Sequence, residues 1–203
     1  MITIVDYGLG NLRAFSNLYR RQNVEVAVAT SAAELARASH VILPGVGSFD
    51  HAMERLDASG MREMLVELAT RGTPVLGVCV GMQMLAQGSD EGTRPGLGLV
   101  AGRVRAFKAA PAAQALPLPH MGWNDVAPMA GHPLFAGLDT GARFYFLHSY
   151  YFDCEQAEHV VARARYGLDF ACAVAVGKIC GVQFHPEKSH HWGERLLKNF
   201  AEL

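Results

Sequence analysis

Three short segments of this chain carry residue types that do covalent chemistry when folding brings them together. Gly77-Val78-Cys79-Val80-Gly81 holds a thiol between two glycines, and Gln183-Phe184-His185-Pro186-Glu187 holds an imidazole two residues from a carboxylate. Leu43-Pro44-Gly45-Val46-Gly47-Ser48-Phe49 offers backbone N–H groups with little side-chain cover. A thiol attacks carbonyl carbon as the thiolate, which a nearby imidazole favours, and a carboxylate orients that imidazole. Backbone N–H groups supply the remaining need, a cradle for the oxyanion of a tetrahedral intermediate.

Each segment needs an element to aim it. Val75 to Val78 reads as a strand and Met82 to Ala86 as an apolar helical run, so Cys79 stands on a strand-turn-helix elbow. Glycines suit such an elbow, because side chains there would collide with strand and helix. The following helix directs its positive end at Cys79, and the N–H of Val80 becomes an oxyanion donor. Taken alone, this pattern also fits a small buried cysteine, and it needs a base. Ile179 to Phe184 reads as a strand ending at His185, and residues two apart on extended chain share a face, so His185 and Glu187 project together. Pro186 stiffens that arrangement. Gly45, Val46 and Gly47 then form the second half of an oxyanion hole beside the third strand.

The rest of the chain supplies the frame. Ile2 to Val5, Val24 to Ala29 and Val41 to Leu43 are expected strands, the last stopped by Pro44-Gly45. Asn11 is the expected N-cap of a helix reaching about Gln22, and Met61 to Thr70 is a further helix. These βα units predict an α/β fold with a mostly parallel sheet and helices on both faces. Val100 to Phe107, Phe144 to Tyr151, Val160 to Arg165 and Ala173 to Val176 predict antiparallel additions in the C-terminal half. Ala109 to Pro119, with three prolines, reads as a loop, and Trp192, Leu196, Leu197 and Phe200 mark a closing helix.

With 203 residues, 50% of them hydrophobic, the chain suits one domain over residues 1–203. A net charge of -1 offers no basic footprint for nucleic acid, and no apolar run reaches the roughly 20 residues of a membrane span. The opening lacks signal-peptide features, and the four cysteines show no CxxC pair, so a reduced, cytoplasmic setting is expected. Neither a metal nor a cofactor is expected.

Together the three segments resemble the class I (triad) glutamine amidotransferases over nearly the whole chain. Within them the resemblance is close to the glutaminase subunits of imidazole glycerol phosphate synthase. It is carried by Asp6-Tyr7-Gly8-Leu9-Gly10-Asn11-Leu12, Gly96-Leu97-Gly98-Leu99 and His148-Ser149-Tyr150-Tyr151, and above all by Pro119-His120-Met121-Gly122-Trp123-Asn124. The resemblance implies a flavodoxin-like fold. It implies hydrolysis of L-glutamine to glutamate and ammonia through a thioester on Cys79, with ammonia passed to a (β/α)8-barrel cyclase subunit in a heterodimer serving histidine biosynthesis. Gln83, Glu91, His148, Ser149 and Tyr150 match positions lining the glutamine pocket, while Asn11 and His120 to Asn124 would face the cyclase. The chain departs from the pattern at Pro117, where a basic residue is common.

Other readings make different demands. A glutaminase of another pathway would lack the Pro119 to Asn124 segment, and a cysteine peptidase would need an open cleft. A non-catalytic scaffold would have lost Cys79, His185 or Glu187, and all three are present.

Overall fold

The computed structural model describes residues 1–138 and 141–203. Its first half contains β1 (Ile2–Val5), α1 (Leu12–Arg21), β2 (Val26–Ala29), α2 (Ala32–Leu35), β3 (His40–Gly45), α3 (Phe49–Ala58), α4 (Arg62–Thr70), β4 (Val75–Cys79) and α5 (Val80–Met84). Its second half contains β5 (Gly88–Ser89), β6 (Gly102–Ala106), β7 (His120–Asp125), β8 (Ala127–Pro128), β9 (Arg143–His148), β10 (Tyr150–Cys154), β11 (Val160–Tyr166), β12 (Leu168–Val176), β13 (Ile179–Val182) and α6 (His190–Ala201).

The main sheet runs β2-β1-β3-β4-β13-β12-β10-β6-β5, with β11 attached to β12 and β8. From β2 to β13 it is parallel, and the strands β12, β10 and β6 that follow alternate in direction, as the sequence predicts. The right-handed rule for parallel crossovers puts α1, which leads to β2, on one face of the parallel part and α2 to α4 on the other, where α5 packs against α3. The closing helix α6 joins α1, with the Tyr19 hydroxyl donating to the Leu197 carbonyl at 3.1 Å. Strands buried on both faces explain the largely apolar runs of β1 and β4, whose residues, the polar Thr3 included, are all buried.

Four details depart from expectation. β3 does not stop at Leu43 but continues through Pro44 and Gly45, paired with Val78 and Cys79. The Pro44 carbonyl accepts the Tyr7 hydroxyl at 2.6 Å, on the side where β1 pairing has already ended at Ile42, so the missing proline N–H costs no ladder bond. Asn11 sits at the N-cap of α1 but makes no capping hydrogen bond. The single strand expected over Phe144 to Tyr151 is two strands that part at Ser149: β9 pairs with β7 in a separate antiparallel sheet, and β10 joins the main one. Finally, α2, α3, β5, β7 and β8 stand where no element is expected, although in α3 Phe49, Ala52, Met53 and Leu56 follow helical spacing and are buried.

Backbone packs closely on backbone between α5 and the centre of the sheet. A Cβ on Gly81 would overlap the Leu43 carbonyl oxygen, and one on Gly77 would stand 2.6 Å from the Gly81 carbonyl. Backbone meets backbone here, so no side chain can swing aside. Gly81→Ala should therefore cost about 1–3 kcal/mol of stability. Urea unfolding followed by circular dichroism measures this, and an unchanged midpoint would contradict the packing.

Candidate active site

Three parallel strands end side by side. Gly45 pairs with Cys79 across β3 and β4, and Val182 pairs with Val78 across β4 and β13. The residues that leave these strands, Val46 to Ser48, Cys79 to Val80 and Gln183 to His185, thus gather at one edge. This is the edge where open parallel sheets bind ligands.

Cys79 occupies φ 57 and ψ -112, a backbone conformation that a side chain rarely adopts. Such strain costs about 1–3 kcal/mol and persists only where packing enforces it. The glycine contacts of α5 do so here. Because α5 spans only Val80–Met84, the elbow offers the N–H groups of its first turn rather than the dipole of a long helix. Cys79 Sγ lies 3.9 Å from the Leu147 carbonyl and 3.8 Å from Gln183 Nε2.

His185 is held at three points. Its N–H donates to the Tyr145 carbonyl at 2.8 Å, and its carbonyl accepts the Ser189 hydroxyl at 2.6 Å. Its Nδ1 lies 2.9 Å from Glu187 Oε1, with both side chains at most 5% exposed. Nε2 is left to face the sulfur. Burial opposes charge on this ring, but the neighbouring Cys79 sulfur and the paired Glu187 outweigh it and lift the imidazole from 6.5 to about 10. The other Glu187 oxygen is buried without a partner among the described residues, so the imidazole is the main compensation for that carboxylate. The structure brings together all three residues singled out for covalent chemistry.

The two glycines of the second anion segment differ in role. Gly45 belongs to β3, and a Cβ there would lie 2.8 Å from the Val80 carbonyl carbon, so it serves close approach. Gly47 has φ +84 with open space around it, so the freedom to reorient peptide units rests with Gly47. The sequence groups both glycines in one oxyanion-hole segment, and the structure separates their roles. The N–H groups of Val46 and Gly47 donate to no backbone carbonyl among the described residues.

A cavity of about 320 Å³ opens over Cys79. Its lining includes Val46, Gly47, Val80 and His185, together with all five residues matched to a glutamine pocket: Gln83, Glu91, His148, Ser149 and Tyr150. Gly45 and Glu187 stand behind this lining. Glu91 Oε2 accepts the Phe49 N–H at 2.8 Å, and burial raises its carboxyl above the usual range. Pro119, Leu147 and Lys188 also line the cavity and were not singled out. Nor was Gln183, which accepts from Gln83 Nε2 at 3.1 Å and reaches the sulfur. The sequence carries a signal for it, since on a strand expected through Phe184 it stands two residues before His185, although β13 itself ends at Val182.

The segment His120 to Asn124 divides by strand alternation. Met121 and Trp123 are 66% and 40% exposed, whereas His120 is 5% exposed and faces inward. Its placement at a partner surface is therefore corrected. Asn124 and Gly122 are half-buried, and Asn11 is exposed. Trp123 stacks on His190, with ring centroids 5.3 Å apart. Leu147 lies opposite Met121 in the register of β7 and β9, so an apolar surface runs from Trp123 to the cavity mouth. All four cysteines are free. No described helix is long and apolar enough to cross a membrane.

Comparison with known proteins agrees with this geometry. The profile of the family described as "Glutamine amidotransferase class-I" matches residues 3–203. The imidazole glycerol phosphate synthase subunit HisH of Bdellovibrio bacteriovorus is 60% identical over the full length of both chains. The HisH subunit of Leptospira interrogans is 48% identical over the same extent. Among solved structures, a glutamine amidotransferase superposes with a TM-score of 0.77 at 20% identity, covering 99% of this chain and 97% of that one. PurLQS from Thermotoga maritima superposes at 0.74 and 16% identity, with coverage of 99% and 97%. The chain belongs to the class I glutamine amidotransferases, in the branch formed by the HisH subunits of imidazole glycerol phosphate synthase.

Proposed function

We propose that this chain, acting as one domain in the cytoplasm, hydrolyses L-glutamine on Cys79 and passes the ammonia to a (β/α)8-barrel cyclase subunit. The observation that carries this reading is the Cys79-His185-Glu187 arrangement at the floor of a cavity sized for one small molecule. The Cys79 sulfur attacks the side-chain amide carbon of glutamine, and the carbonyl oxygen becomes an oxyanion cradled by the N–H of Val80 and a donor from Val46 or Gly47. His185 gives its Nε2 proton to the departing nitrogen, which leaves as ammonia. Water then attacks the thioester with the neutral His185 as base, and glutamate is released as the proton returns. Glu91, beside the cavity, is suited to the substrate's ammonium group, and the Ser149-Tyr150 segment to its carboxylate. Met121 and Trp123 supply the aromatic and apolar anchors of a docking surface beside the cavity mouth.

Cys79→Ala and Cys79→Ser should abolish glutamate release while leaving the fold and partner binding unchanged. Mass spectrometry of wild-type enzyme with a glutamine-derived electrophile should find the adduct on Cys79. Substantial glutamate release by Cys79→Ala would refute the assignment.

Glu187→Gln should lower turnover less than His185→Ala, because an orienting group contributes less than the base it orients. It should also lower the His185 titration midpoint from about 10, since the carboxylate that favours the imidazolium is gone. NMR titration of the imidazole nitrogens reads this directly, and an unmoved midpoint would show Glu187 to be a bystander.

Free ammonia production wastes glutamine, so the isolated subunit should be a poor catalyst. The conformational freedom at Gly47 lets one oxyanion donor turn away at rest, and losing a single donor costs about 100- to 1,000-fold in rate. Docking of the cyclase with its nucleotide ligand would favour the competent arrangement. Steady-state glutamate release should rise by that order when both are added. Full activity of the isolated subunit, unchanged on their addition, would remove the switch and leave the triad standing.

A further inference from the structure

His148 lines the cavity but has no nitrogen free to offer a ligand. Its Nδ1 lies 2.7 Å from the Tyr150 carbonyl, which can only accept, so Nδ1 carries the proton. Its Nε2 lies 2.9 Å from Nδ1 of His120. Phe107, Phe146 and Phe170 surround the His148 ring with centroids 5.3–5.5 Å away. In that setting burial pulls His148 down to about 3, and burial likewise pulls His120 down to about 4, so both rings are neutral at pH 7. A neutral His148 with its proton on Nδ1 accepts at Nε2, which requires His120 to donate from Nδ1. Nε2 of His120 is then an acceptor. It faces Asn124 Nδ2 at 3.3 Å. The orientation of that amide is set from both ends: Nδ2 also donates to the Arg165 carbonyl at 2.9 Å, and Oδ1 accepts the Asp125 N–H at 2.8 Å. The His120 ring lies between Tyr166 and Phe146, with centroids 4.1 and 4.9 Å away, which fixes its plane.

We infer that Asn124, His120 and His148 form a single directed hydrogen-bond chain that positions the Tyr150 peptide at the wall of the substrate cavity. On this inference, which rests on the glutaminase reading above, His148 is a positioning residue rather than a ligand, and His120 and Asn124 are its supports. Every donor in the chain has one acceptor and every acceptor is filled, so the arrangement admits one set of tautomers. The Tyr150 carbonyl at its end also faces Gln83 Nε2 at 3.5 Å, which links the chain to a second cavity residue. Breaking the chain leaves the Tyr150 carbonyl poorly oriented. That should weaken glutamine binding without touching Cys79, His185 or the oxyanion donors.

Two substitutions at His120 separate hydrogen bonding from packing. His120→Phe keeps a ring between Tyr166 and Phe146 but removes the donor. His120→Asn removes the ring but keeps an N–H near the position of Nδ1. With the cyclase partner and its ligand present, His120→Phe should raise the KM for glutamine about tenfold with kcat within about twofold, as expected for loss of a buried hydrogen bond. His120→Asn should stay within about threefold of the wild-type KM. An unchanged KM in His120→Phe, or an equal rise in both variants, would overturn the inference. A second reading needs no activity: long-range ¹H–¹⁵N NMR of the wild-type chain at neutral pH should show His120 and His148 both protonated on Nδ1. Protonation of either on Nε2 alone would overturn the chain of donors, whatever the assay shows. A wild-type chain with no glutaminase activity but these two tautomers would instead count against the glutaminase reading and leave the chain intact.

Discussion

The approach of α5 to strands β3 and β4, with no side chain between them, sets the geometry that the catalytic arrangement needs. Gly81 rests its backbone against Leu43, and Gly45 rests against the Val80 peptide. A larger residue at either place would push the helix outward and carry Val80 and Cys79 with it. The strained backbone of Cys79 follows from the same contact, because the chain must turn from strand to helix within a single residue. The parallel register then brings Gly45 level with Cys79 and Val182 level with Val78. Nucleophile, anion donors and base thus arrive at one sheet edge as consequences of packing, without a loop long enough to wander.

Against this rigid floor, the charged pair is a local tension. His185 and Glu187 are both buried, and one carboxylate oxygen lacks a partner among the described residues. Such a group is a net cost to folding unless its neighbour stays charged. The cost and the function share one cause. A carboxylate with few other partners is a strong orienting group for the imidazole, and the imidazolium so favoured is what a departing nitrogen needs as its acid. The Ser189 hydroxyl limits the freedom of the pair by bonding both the His185 carbonyl and the Tyr145 N–H, which ties the base to β9 rather than to its own hairpin.

Much of this was legible in the residues themselves. Alternating β-branched runs and helical stretches announced the parallel half, and residue chemistry announced Cys79, His185 and Glu187. What escaped depended on knowing which strands pair. Phe144 to Tyr151 reads as one strand, and although His148 and Ser149 interrupt its apolar residues, they do not say that its two halves serve different sheets, since the division at Ser149 is imposed by partners far along the chain. The same holds for His120. Beside Met121 and Trp123 it reads as part of a surface, and only strand alternation, once β7 is known to be a strand, turns it inward. Gly45 and Gly47 look equivalent in sequence and differ because one is paired in a ladder and the other is not.

The two-faced character of β7 also bears on how this region tolerates change in length. A strand that presents Met121 and Trp123 outward and His120 and Asn124 inward reads its register twice, once on each face. Inserting or deleting one residue within it would exchange the two sets, placing an indole among Phe146 and Tyr166 and an unpaired imidazole in solvent. The preceding stretch is not a ladder strand and runs through two short 3-10 turns, Phe107–Ala109 and Pro111–Ala113. Phe107 and Ala113 of that stretch are buried and the Pro117 carbonyl accepts the Tyr166 hydroxyl, so change in chain length is absorbed best between them, at the exposed Gln114 and Ala115, whereas from His120 to Asp125 a single residue gained or lost exchanges the two faces.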